Sequence, residues 1–251
     1  MEKDSIKLTS VNIELAEHLD LVRAFLEKEK PDIVCLQEVC EADLKELAKK
    51  LEMEAVFAQM SLIGKVEYTK PPFAPYGVGI LSRLPIQSVQ RPYYRGDEET
   101  AKRREFQGLS RDDPHPLLCA SIKKGNQSFA VGTTHFTWTQ NGEPDDLQRN
   151  DLASLLRTLE KFPEIVLCGD FNAPRGRETF DTLARYYKDN IPNQYTTSID
   201  ANLHKDGEQV RGKSLMGDGF FTTSQYECTN VRLQDGVSDH MAIVAEIQRI
   251  A

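Results

Sequence analysis

The sequence is short of several things, and each shortage excludes something. Positive charge is in deficit: 31 Lys and Arg stand against 39 Asp and Glu, a formal net charge of −8. A chain of that sign has no bulk attraction for nucleic acid, although bound cations or a local basic loop can reverse the field over one cleft. No apolar run approaches the roughly eighteen residues that a membrane span needs. Cysteine is sparse, odd in number and free of any Cys-x-x-Cys pair (Cys35, Cys40, Cys119, Cys168, Cys228), so no disulfide framework is expected. Cys35, Cys119 and Cys168 lie inside apolar runs and are expected as buried thiols, which suits a reducing, cytoplasmic compartment. Met1–Ser5 has no apolar segment and is not expected to be a signal peptide. Internal repeats and low-complexity linkers are also missing.

With 39% hydrophobic and 28% charged residues, the 251-residue chain can bury a sizeable core, and a single domain over 1–251 is expected. Strands are expected at Ile6–Glu14, Asp32–Leu36, Val78–Ser82, Ile165–Cys168, Gly219–Thr222 and Met241–Ile247. Leu117–Lys123 and Phe129–Thr134 form a hairpin across Gly125-Asn126. Helical periodicity covers Leu15–Lys30, Asp43–Leu51, Asp145–Lys161 and Arg177–Tyr187. This mixed order, rich in strands, suits a two-layer β core with helices outside better than a doubly wound parallel sheet. Surface loops are expected at 70–76, 91–116 and 190–218, the second holding the basic residues Lys102, Arg103, Arg104 and Arg111.

Hard oxygen and nitrogen donors recur at the strand ends. They occur in Val11-Asn12-Ile13-Glu14, Leu36-Gln37-Glu38-Val39, Thr133-Thr134-His135, Cys168-Gly169-Asp170-Phe171-Asn172-Ala173, Gly217-Asp218-Gly219-Phe220-Phe221 and Ser238-Asp239-His240. Taken singly, an Asp or Asn after a strand is a turn residue. Carboxylate, amide and imidazole together at strand ends are what metal-assisted phosphoester hydrolysis requires.

This series, read as VNIE, LQEV, TTH, CGDFNA, GDGFF and SDH, resembles the endonuclease/exonuclease/phosphatase superfamily over nearly the whole chain. The resemblance implies an α/β (α+β) fold, a DNase-I-like four-layer α/β/β/α sandwich of two packed, mostly antiparallel sheets. It implies Glu38 as the principal metal ligand, with Asn12 and Asp239 beside it, and Mg²⁺ or Mn²⁺ as the ion. Asp170 resembles the residue that orients or deprotonates the attacking water, and Asn172 one that binds phosphate or water. His240 resembles the imidazole that contacts the scissile phosphate, oriented by Asp218, and His135 a donor to phosphate or leaving oxygen. Glu14 stands where several relatives carry a metal-site Asp.

Weaker substrate contacts are expected from Arg111, Arg103 and the single tryptophan, Trp138, a stacking surface or a packing residue. His18 is read as a surface residue, His115 as loop structure, and His204 as a residue of a variable loop. The expected activity is hydrolysis of phosphodiesters, foremost of nucleic acid, as a nuclease or a tyrosyl-DNA-phosphodiesterase-like repair enzyme. A sphingomyelinase-like or inositol-phosphate-phosphatase-like hydrolase is the alternative, and a non-catalytic binding module the contrasting one. No obligate protein partner is expected.

Overall fold

The computed structural model of the chain describes residues 5–64, 73–103, 105–106 and 111–250. In chain order the strands are β1 (Ile6–Asn12), β2 (Ile33–Cys40), β3 (Glu54–Gly64), β4 (Phe73–Ser82), β5 (Ile86–Gln90), β6 (Tyr93–Arg95), β7 (Glu105–Phe106) and β8 (His115–Pro116). They continue with β9 (Leu118–Lys124), β10 (Gln127–His135), β11 (Val166–Asp170), β12 (Lys188–Asp189), β13 (Asp218–Thr222), β14 (Tyr226–Gln234) and β15 (Ala242–Arg249). The helices are α1 (Leu19–Glu29), α2 (Glu41–Leu51), α3 (Glu98–Arg103), α4 (Asp146–Leu159), α5 (Glu178–Tyr186) and α6 (Gly207–Val210). One sheet runs β14-β15-β1-β2-β4-β3-β7, the other β12-β13-β11-β10-β9-β5, and β6 pairs with β8 in a separate ribbon. Most pairings are antiparallel; β1 with β2, β10 with β11, and β3 with β7 are parallel.

Alternation along the central strands explains the layering. In β2, Ile33 and Cys35 face the space between the sheets, while Val34 and Leu36 face α1 and α2. In and beside β11, Val166 and Cys168 point inward, while Ile165 and Leu167 meet the α4 and α5 side chains Leu152, Leu155, Leu159 and Leu183. Three apolar interiors therefore separate four layers, helix on sheet on sheet on helix. A strand buried on both faces reads as an unbroken apolar run, which is why these strands are conspicuous in the sequence. The expected sandwich of two mostly antiparallel sheets is the fold observed.

Several element boundaries differ from expectation. The first helix begins at Leu19, not Leu15, because Glu14 and Leu15 take left-handed φ values of 44° and 62° and the chain turns before entering the helix. The strands β3, β5 and β14 are not among those expected from the sequence. β5 and β14 bury only part of their residues, and β3 carries a bulge between Gln59 and Ser61, so the period-two signal is diluted. The expected loop at 70–76 is corrected in part: Phe73–Tyr76 belong to β4 and Tyr76 is fully buried, while 70–72 lie outside the described residues. The 91–116 region holds β6, α3, β7 and β8.

His115 is corrected from loop residue to buried core. Its ring stacks on Tyr94 with centroids 5.8 Å apart, and its Nδ1 meets the His135 carbonyl oxygen at 2.7 Å. Burial depresses its proton affinity to a pKa of about 3, only partly opposed by that hydrogen bond. The unfolded chain, with an ordinary histidine, takes up a proton that the native state refuses. Stability is therefore complete above the ordinary value and falls as pH drops toward 3, by up to about 1.4 kcal/mol per pH unit. Urea unfolding at about pH 7 and about pH 5.5 should show wild type losing roughly 1 kcal/mol more than His115→Gln on acidification. Equal losses would show that His115 is not held neutral.

Gly169 is required where it stands. Its φ is 144°, and a Cβ there would lie 2.1 Å from the Thr134 carbonyl oxygen of the neighbouring strand. Gly169→Ala must push β11 away from β10, and a loss of about 1–3 kcal/mol in chemical denaturation is expected. An unchanged midpoint would mean that the two strands yield without cost.

Candidate active site

Two of the parallel pairings, β1 with β2 and β10 with β11, bring the polar residues to the same end of the sandwich. Asn12 ends β1 opposite Gln37 of β2. In the other sheet His135 ends β10 opposite Asp170 of β11, and Asp170 is opposite Asp218 of β13. Strand ends from both sheets thus meet in one place. The Asn12 side-chain amide spans the gap, donating to Glu38 Oε1 and to Asp170 Oδ2, each at 3.1 Å. Deeper in, Gln37 Nε2 donates across the sheets to Thr133 Oγ1 at 2.9 Å.

Glu38 reaches the site because β2 is irregular there. Its pairing with β4 shifts register between Leu36 and Val39, and Glu38 has a φ of 55°. A bulge of this kind turns a side chain out of strict alternation. The carboxylate is only 8% exposed, and its Oε1 lies 3.6 Å from His135 Nε2. Burial raises its pKa and the Asp239 and Asp170 charges add to this, opposed by His135 and the Asn12 hydrogen bond.

Asp170 stands at the centre. Its Oδ2 is 3.6 Å from His135 Nε2 and 3.9 Å from His240 Nε2, while Oδ1 accepts the Asn172 backbone N–H at 2.8 Å. That bond closes a tight turn in which Asn172 has a φ of 48°. The Asn172 amide nitrogen donates to the Phe136 carbonyl at 2.9 Å and lies 3.0 Å from His135 Nε2. With its orientation fixed by that carbonyl, the amide faces the imidazole and holds the ring between the Glu38 and Asp170 carboxylates.

His240 and Asp218 form the tightest ionisable pair, Nδ1 to Oδ2 at 2.7 Å. Burial alone would lower the imidazole pKa, but the Asp218 and Asp170 carboxylates outweigh it and hold His240 well above the usual histidine range. The loop at 190–218 secures the pair. Ser198 Oγ accepts from the Gly217 and Asp218 backbone N–H groups, and Ile199 bridges His240.

Among the described residues, three groups bring potential metal-ligand atoms within 4.8 Å of one another: Glu38 with His135 and Asp170, Glu14 with His18 and Asp239, and Asp170 with Asp218 and His240. The first two offer carboxylate oxygen and imidazole nitrogen, donors that suit a divalent cation. The third is already joined as an imidazole–carboxylate pair. The structure thus gathers Asn12, Glu38, His135, Asp170, Asn172, Asp218 and His240, with Asp239 on the flank beside Glu14. Asn12 was expected as a metal ligand, but its nitrogen faces the carboxylates and its Oδ1 accepts the Glu14 N–H at 3.1 Å, the geometry of a positioning group.

The weaker candidates fare differently. Trp138 is 52% exposed just beyond β10. Arg111 does not turn toward the site; it pairs with Asp145, the N-cap of α4. The Arg103 side chain and all of Arg104 lie outside the described residues, and Lys102 pairs with Glu98 on α3. Sequence reasoning missed His18, which faces Glu14 four residues away, a helical spacing that was legible but unused. It also missed Tyr76, whose hydroxyl lies 3.5 Å from His135 Nδ1.

Buried carboxylates and imidazoles converging at one end of a double-sheet sandwich define a metal-dependent phosphoester hydrolase. Residues 9–240 match the Endonuclease/Exonuclease/phosphatase family, and the chain belongs to it. No curated protein matches the chain significantly. Similar solved structures include the human Nocturnin catalytic domain with bound sulfate, 17% identical, covering 98% of this chain and 94% of that one with a TM-score of 0.69. A humanized D. rerio TDP2 carrying 14 mutations is 16% identical, with coverages of 98% and 100% and a TM-score of 0.65. The mannosyl-6-phosphatase Bt3783 of Bacteroides thetaiotaomicron is 12% identical, with coverages of 96% and 99% and a TM-score of 0.66. At these identities the likeness is one of fold.

The charge on His240 depends on Asp218 in this geometry. In Asp218→Asn, an NMR titration of the metal-free protein should place the His240 pKa at least about one unit below wild type. An unmoved titration would show that another group carries the charge.

Proposed function

We propose that the chain hydrolyses phosphodiester bonds, foremost in nucleic acid, with Mg²⁺ or Mn²⁺ as its ion. The observation that carries the hydrolytic part is the Asp170 carboxylate, held 3.1 Å from Asn12 and facing both His135 and His240. Glu38, with Asp239 nearby, would hold the divalent cation, which would supply Lewis acidity when bound. The chain's own residues do the rest. Asp170, its other oxygen fixed by the Asn172 backbone, accepts a proton from the attacking water. His240, charged through Asp218, donates from Nε2 to the non-bridging oxygens as negative charge grows on them. Asn172 holds the His135 ring in place beside Glu38 and Asp170.

The exposed Trp138 supports a nucleic-acid substrate. An indole at the end of the strand that carries His135 offers a stacking platform for a base. It offers nothing specific to a simple sugar phosphate.

Asp170→Asn and His240→Ala should each lower turnover by about 10²–10⁴-fold in a chain that still folds, as circular dichroism would check. Near-normal turnover in either variant would remove that residue from the mechanism. The assay is a labelled panel of intact, nicked, abasic and 5′-tyrosyl DNA, together with sphingomyelin vesicles and inositol phosphates, with and without EDTA. Metal-dependent cleavage confined to the DNA members supports the reading. Cleavage confined to the lipid or inositol members replaces it with the phospholipase or phosphatase alternative.

A further inference from the structure

Beside the Glu38 carboxylate lies a group that the mechanism above leaves partly unused. Glu14 and Leu15 are both in left-handed backbone conformation, an uncommon pair for residues with side chains. The turn is held by the Leu15 N–H on the Glu38 carbonyl at 3.0 Å and the Glu14 N–H on Asn12 Oδ1. It brings the Glu14 carboxylate toward Asp239 and Glu38, and their charges, after burial, raise the Glu14 pKa, with Lys205 and His18 partly offsetting them. Strain spent on bringing like charges together is characteristic of a ligand site.

His18 provides the independent observation. Its side chain is only 11% exposed, and Nε2 lies 3.3 Å from Glu14 Oε2. That nitrogen is buried yet makes no hydrogen bond among the described residues, so the two atoms are close without being aligned for one. Two donors of one ion, each about 2.1 Å from it and at right angles, stand about 3 Å apart. Glu14, His18 and Asp239 all have ligand atoms within 4.8 Å of one another.

We infer that Glu14, His18 and Asp239 hold a divalent transition-metal ion, and that the His18 imidazole makes this position prefer Mn²⁺ over Mg²⁺. Nitrogen donors bind first-row transition ions well, whereas Mg²⁺ favours oxygen and water. The helical spacing supplies the geometry: Glu14 and His18, four residues apart, face one another across the turn that precedes α1. This inference rests on the metal-dependent reading of the site but adds a ligand and an ion preference to it.

The test is calorimetric titration of the full chain with Mn²⁺ and separately with Mg²⁺, for wild type, His18→Ala and Glu38→Gln. His18→Ala should weaken Mn²⁺ binding by about tenfold or more and Mg²⁺ binding by less than about twofold. His18→Gln keeps a side chain of similar length and gives the same readout should the alanine variant fail to fold; His18→Asp should restore binding without the Mn²⁺ preference. Equal weakening toward both ions, or none toward either, overturns the assignment of His18. Failure of the hydrolase reading looks different: wild type would show neither metal-dependent cleavage nor any effect of Glu38→Gln on either ion.

Discussion

One side-chain amide joins the two halves of this site. Asn12 ends β1 in one sheet, and its nitrogen donates both to Glu38 of that sheet and to Asp170 of the other. Apart from a few polar links such as Gln37 to Thr133, the sheets meet through apolar contacts, which are non-directional and tolerate sliding. A bifurcating donor held by a backbone N–H on its own oxygen tolerates much less. The relative placement of Glu38, Asp170 and the two imidazoles therefore follows from where β1 ends and where its last side chain points.

The surrounding backbone is correspondingly strained. Glu14, Glu38 and Asn172 all have positive φ, and all three lie in or beside the site. Gly169 occupies a conformation and a space closed to any side chain. Such conformations persist only where the surroundings over-determine them. Here the surroundings are three apolar interiors on either side of and between two sheets, far larger than the strained segments they hold.

Charge is arranged in the same spirit. Glu38, Asp170, Asp218 and Asp239 are all buried at one end of the sandwich. His240, 2.7 Å from Asp218, and His135, 3.6 Å from Glu38 and Asp170, are imidazoles set against them. So many desolvated carboxylates are tolerable when a cation of high charge is their natural complement. This also reconciles a net charge of −8 with a phosphoester substrate, since the ion and not the bulk protein reverses the field locally.

The sequence by itself determined the central strands, because double-sided burial writes them as continuous apolar runs such as Ile33–Leu36 and Ile165–Cys168. It also pointed to the short segments that the structure brings together at one end of the sandwich, because polar donors at strand ends stand out against those runs. It did not show the edge strands β5 and β14, whose half-exposed faces dilute the alternation. Nor did it show that Asn12 would offer nitrogen in place of oxygen, that Arg111 would turn to Asp145, or that His115 would be core. Those outcomes depend on which groups become neighbours across the sandwich and on rotations of single side chains. Only the tertiary structure decides them, because residues 158 positions apart, Asn12 and Asp170, share a hydrogen bond that no local pattern encodes.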